Sequence, residues 1–169
     1  MLYIFKIIAL FLVFIICTIL GMYEAKKYDN RVEALKQIKN ALEVLKSKIE
    51  FTYAPIKDNF IEISKIVYKN EKNIFQDCIE NMKDYEISEA WNIAVDNDSS
   101  LIKEDKSTIK MFGKLLGKTD KSGQINEINL TSKLLDSLID KAEQEKNKNY
   151  KLFRTLGSTI GIGLCIILI

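Results

Sequence analysis

Apolar residues along this chain fall into two continuous runs, one at each end, with a periodic pattern between them. The first run, "IIALFLVFIICTILGMY" from Ile7 to Tyr23, carries no charge. With Leu2 to Phe5 and a snorkelling Lys6 it makes a helix of about 22 residues, roughly 33 Å long, enough for a hydrocarbon core of about 30 Å. The second, "LGSTIGIGLCIILI" from Leu156 to Ile169, is shorter. It makes roughly 21 Å of helix; Leu152 and Phe153 lengthen it, and a thinned bilayer or a re-entrant pose would also accommodate it. Between the runs the spacing is helical. Leu35, Ile38, Leu42, Leu45 and Ile49 recur at steps of 3 and 4, a seam of the coiled-coil type. No helix breaker occurs before Pro55, which suits the first turn of a second helix bearing Ile56, Phe60, Ile63 and Val67 on one face.

The same reading gives a third helix with Ile74, Phe75, Cys78, Ile79 and Met82. A short fourth begins near Ser88 as N-cap and carries Trp91, Ala94 and Val95. "DNDSS" is a loop. A fifth helix runs from about Lys103 to Leu116, its first turn holding Glu104 and Asp105 where the helix dipole favours acids. The last continues from about Asp120 through Ile125, Ile128, Leu135, Ile139 and Ala142 into the second apolar run. The expected fold is all-α. A long first and a long last helix form an antiparallel pair, shorter helices pack on it, and each end is a transmembrane helix. The boundaries are 1–23 for the first span, 24–154 for a cytoplasmic helical bundle and 155–169 for the second span.

Composition narrows the chemistry. The chain has 25 Lys and Arg against 23 Asp and Glu, so no basic excess points to nucleic acid. Histidine, the commonest general base and transition-metal ligand, is absent. The single proline and seven glycines favour helices over sheet. Cys17, Cys78 and Cys165 form no C-x-x-C pattern and read as small buried hydrophobes. The Ile7–Tyr23 run lacks a good cleavage site and reads as an uncleaved anchor. Lys26, Lys27 and Arg31 follow the first span; Lys146, Lys148, Lys151 and Arg154 precede the second. By the positive-inside rule they place the middle in the cytoplasm and both termini outside.

Three local features invite a sharper reading. Gly157 and Gly161 form a G-x-x-x-G step, which lets membrane helices approach closely, within one chain or between chains. Trp91, the lone tryptophan, reads as a core plug rather than an exposed partner anchor. "FGKLLGKTDKSGQI", Phe112 to Ile125, hints at a phosphate-binding loop, but Gly113 and Gly117 are separated by three residues rather than four. A helix precedes it rather than a strand, Gly117 suits a helix C-cap, and Thr119 or Asp120 can cap the next helix. Gly113, Gly117, Asp120, Gly123 and Gln124 therefore read as a structural corner, with no nucleotide bound there.

The sequence resembles the stage III sporulation protein AB family. The resemblance rests on "YDNRVEALKQIKNALEVLKSKIEF" (Tyr28 to Phe51), on Pro55 with its following turn, on "EAWNIAV" (Glu89 to Val95) and on "FGKLLGKTDKSGQI". Leu115 departs from the small polar residue expected there. The resemblance implies a non-enzymatic component of the channel between mother cell and forespore, lying in the mother-cell membrane that faces the forespore. It implies a domain like the cytoplasmic domains of type II secretion platform proteins. The partners implied are the membrane, other sporulation channel proteins and a secretion-type ATPase; neither nucleic acid nor a cofactor is expected, and a homo-oligomer stays open. Two rivals are an enzyme using Glu and Asp, and a membrane-tethered signalling or sensor protein. No carboxylate set with metal-ligand spacing supports the first, and no legible ligand pocket supports the second.

Overall fold

The computed structural model describes residues 2–52, 54–68, 73–114, 116 and 119–168. These residues form six helices and no strand: α1 (Leu2–Phe51), α2 (Ile56–Tyr68), α3 (Ile74–Asn81), α4 (Ile87–Asn97), α5 (Lys103–Gly113) and α6 (Lys121–Leu168). The all-helical expectation holds, with long first and last helices that pack together. Both α1 and α6 are long and apolar enough to cross a membrane.

The helix ends follow from local chemistry. The Pro55 carbonyl accepts from the Asn59 N–H at 3.2 Å, which closes the first turn of α2. Asn73 caps α3 by accepting from the Gln76 N–H at 3.0 Å. Helix α4 starts one residue before Ser88, because the Ala90 N–H already donates to Glu86 O at 2.8 Å; Glu86 is the N-cap, and Ser88 lies inside the first turn. The buried Asp105 carboxylate accepts from the Ile102 N–H at 3.1 Å and fixes the start of α5. That helix stops at Gly113 rather than near Leu116, as the Lys114 N–H turns back to Met111 O at 3.2 Å.

The chain divides into two compact units. One comprises Met1–Val32 and Lys141–Ile169, the other Glu33–Asp140. In the second unit, Leu35, Ile38, Leu42, Leu45 and Ile49 are all buried, as the seam requires, together with Ile128 and Leu135 of α6. Helices α2 to α5 add an aromatic centre. Trp91 lies with its ring 5.3 Å from those of Phe75 and Phe112 and 5.8 Å from Phe60, mostly edge to face. Its indole N–H donates to Ile109 O at 3.0 Å, so burial leaves no polar atom of the ring unsatisfied. Cys78 of α3 is buried too: burial alone pushes its thiol up to about 12, which keeps it protonated.

In the first unit the apolar ends of α1 and α6 run side by side. Tyr28 stacks on Phe153 at 5.8 Å, and Ala25 and Val32 are buried.

Candidate functional site

Two places hold the residues that the sequence singles out. The first is the helix contact in the unit of Met1–Val32 and Lys141–Ile169. Gly157 lies against Gly21: a Cβ on Gly157 would fall 2.8 Å from Cys17 O and 2.8 Å from Gly21 Cα. A Cβ on Gly21 would fall 2.7 Å from Gly157 Cα and 2.8 Å from Phe153 O. Both approaches are to backbone, so neither can be relieved by turning a side chain. Gly161 meets Phe14 and Cys17, with a built Cβ 3.0 Å from Phe14 Cδ2 and 3.3 Å from Cys17 Cβ. The G-x-x-x-G step thus packs within the chain. Its partner Gly21 was not singled out by sequence reasoning, although it is the lone glycine of α1. Gly163 has nothing within 4 Å of the position a Cβ would take.

The basic residues beside these segments divide into two kinds. Lys26, Lys148, Lys151 and Arg154 are exposed. Lys27 is exposed too; it pairs with Glu24 at 2.7 Å, which raises its pKa, and lies 5.2 Å from the Tyr23 ring. Lys146 pairs with Asp29 at 2.6 Å, which raises its pKa in the same way. Arg31 differs from all of these. It is buried, and its Nη1 meets Glu145 Oε2 at 2.7 Å. It sits four residues before Leu35 and so continues the seam, while its partner Glu145 stays partly exposed.

The second place is the corner between α5 and α6, in the unit Glu33–Asp140. Gly113 is buried because Trp91 fills the space beside it: a Cβ there would come 2.2 Å from Trp91 Cδ1. Asp120 caps α6 by accepting from the Gly123 N–H at 2.9 Å, and a Cβ on Gly123 would lie 3.0 Å from that same oxygen. The Gln124 side-chain amide donates to Thr119 O at 3.0 Å. Leu115, Gly117 and Lys118 lie outside the described residues, so the expected C-cap at Gly117 is not seen. Ile49, Phe112, Leu116, Gln124 and Glu127 line a cavity of about 10 Å³ here. That volume holds about one water and no phosphate chain. Among the described residues, no group of three or more Cys, Asp or Glu side chains comes together to hold a metal ion.

Comparison with known proteins gives the same family each time. The model of the stage III sporulation protein AB family matches residues 6–169. Stage III sporulation protein AB of Bacillus subtilis (strain 168) is 26% identical over 173 residues, covering 96% of this chain and 98% of that protein. A solved structure of a stage III sporulation protein AB superposes with a TM-score of 0.61 at 23% identity, covering 70% of this chain and 98% of the other. At that identity the likeness speaks for the fold.

Proposed function

This chain belongs to the stage III sporulation protein AB family, and we propose that it is a non-enzymatic scaffold of the channel between mother cell and forespore, docking a secretion-type ATPase. The observation that carries the reading is the filled interior of the unit Glu33–Asp140. Its centre is closed by Trp91, Phe60, Phe75 and Phe112, and the cavity that Ile49, Phe112, Leu116, Gln124 and Glu127 line at its glycine corner holds about 10 Å³. Nucleotide chemistry then belongs to a partner, and the surface of this chain is its working part. Residues 1–23 and 155–169 lie in the mother-cell membrane facing the forespore, residues 24–154 in the cytoplasm, and both termini outside. The exposed Lys26, Lys27, Lys148, Lys151 and Arg154 support that orientation.

The test uses the tagged full chain purified from membranes of sporulating cells. A secretion-type ATPase is expected to be retained on it, and a deletion strain is expected to lose its heat-resistant spores. Parental spore counts in the deletion strain, or specific micromolar Mg-ATP binding by this chain alone, would sink the proposal.

A further inference from the structure

Charge in the unit Glu33–Asp140 is partitioned along the chain. From Asp77 to Asp98 there are seven acidic residues and one lysine; from Lys103 to Lys121 there are six lysines and three acidic residues. Asp96 takes Lys110 at 2.5 Å and, through its carbonyl, Lys106 at 2.8 Å. Glu80, Asp84, Lys103 and Lys114 are exposed and make no ion pair among the described residues.

Local folding does not explain two of these charges, Glu80 and Lys103. Glu80 is the next-to-last residue of α3, where the helix dipole disfavours an acid. Lys103 is the first residue of α5, where the dipole disfavours a base. Each sits against the preference of its own helix and points to a demand from outside it. Helices α3, α4 and α5 are packed in succession, α3 on α4 and α4 on α5. Their charges therefore keep a fixed spacing and present a fixed pattern.

We infer that the lysine face of α5, around Lys103 and Lys114, binds the acidic α3–α4 turn, around Glu80 and Asp84, of a second copy of this chain. Both halves of the complementarity are on the same molecule, which makes a second copy the occupant with matching charge. Exposed Met111 beside the lysines and Tyr85 beside the acids, 41% and 46% accessible, supply apolar contact at the two faces. Copies held in one bilayer share one orientation and a high local concentration, so a contact of modest strength suffices.

Sedimentation of the full chain in non-ionic detergent tests this with charge reversals. The parent is expected to associate at about 0.1 M salt, where the Debye length is about 10 Å, and to dissociate at about 1 M, where it is about 3 Å. Lys103→Glu with Lys114→Glu, and separately Glu80→Lys with Asp84→Lys, are each expected to give monomers with near-parental melting temperatures. An equimolar mixture of the two variants is expected to form a one-to-one pair, because each retains the face the other needs. A parent that stays monomeric at low salt overturns the inference. So does association that survives both reversals, or variants that do not pair when mixed. Since ATPase capture is not measured here, this outcome is separate from that of the scaffold proposal.

Discussion

Helices α1 and α6 meet in both units, but with opposite chemistry. In the unit Glu33–Asp140 large side chains fill the interior: Leu35, Ile38, Leu42 and Leu45 of α1 are buried, as are Ile128 and Leu135 of α6. In the unit of Met1–Val32 and Lys141–Ile169 the contact is made by having almost no side chain, with Gly21 and Gly157 backbone to backbone. The difference is what two solvents would ask for, lipid around the ends of two helices long and apolar enough to cross a membrane and water around the rest. In water, apolar area removed from solvent drives association at about 25 cal/mol per Å², so bulk is favoured. Among lipid tails that force vanishes, and close backbone approach is what remains to hold two helices together.

The strongest way to break the water-driven half is Trp91→Ala. Truncating a fully buried aromatic is expected to cost about 3–5 kcal/mol, and the full chain should melt far below the parent in detergent. An unchanged melting temperature would mean that the aromatic centre does not hold the unit together. Gly113→Ala attacks the same centre from the other side. Its methyl would meet Trp91 at 2.2 Å, so overpacking of about 1–3 kcal/mol is expected, and less in the presence of Trp91→Phe.

The backbone-driven half can be tested covalently. In Gly161→Cys the new Cβ stands 3.3 Å from Cys17 Cβ, just short of the roughly 3.5–4.5 Å at which disulfides form, so a small outward shift suffices. Mild oxidation should cross-link α1 to α6 within one chain. Adding Gly157→Leu should abolish that cross-link, because its side chain would enter Cys17 O and Gly21 Cα. A cross-link that persists would show that the glycine contact is dispensable. The smallest effect belongs to Lys39→Ala. Lys39 pairs with Asp136 across α1 and α6, but Asp136 is half exposed, so only about 0.2–1 kcal/mol is expected in a thermal melt.

Much of this was legible in the sequence. The 3–4 spacing from Leu35 to Ile49 names one buried face, and the apolar neighbours of Trp91 mark it as core. Periodicity, however, identifies a face and not its partner. Gly157 and Gly161 stand out as a motif, whereas Gly21 is a single glycine whose role exists only opposite α6. Arg31 was read by its nearness to a membrane segment, yet it occupies a seam position four before Leu35, and Glu145 sits three after the buried Ala142. A charge at a seam position was the signal for a buried arginine with a partner on α6. Helix ends shifted by a few residues because turns such as Lys114 to Met111 depend on backbone hydrogen bonds that any residue can make.

The glycine contact has one more consequence. Where a Cβ on Gly21 would strike Phe153 O, the glycine carries a hydrogen aimed at that carbonyl, and Gly157 does the same towards Cys17 O. Reciprocal Cα–H···O contacts of this kind recur between closely packed helices and are each worth perhaps 0.5–1 kcal/mol. An interface written in main-chain atoms places no demand on the identity of the surrounding Ile, Leu and Phe residues. Substitutions at apolar positions away from that contact are therefore expected to matter less than any added side chain at 21 or 157.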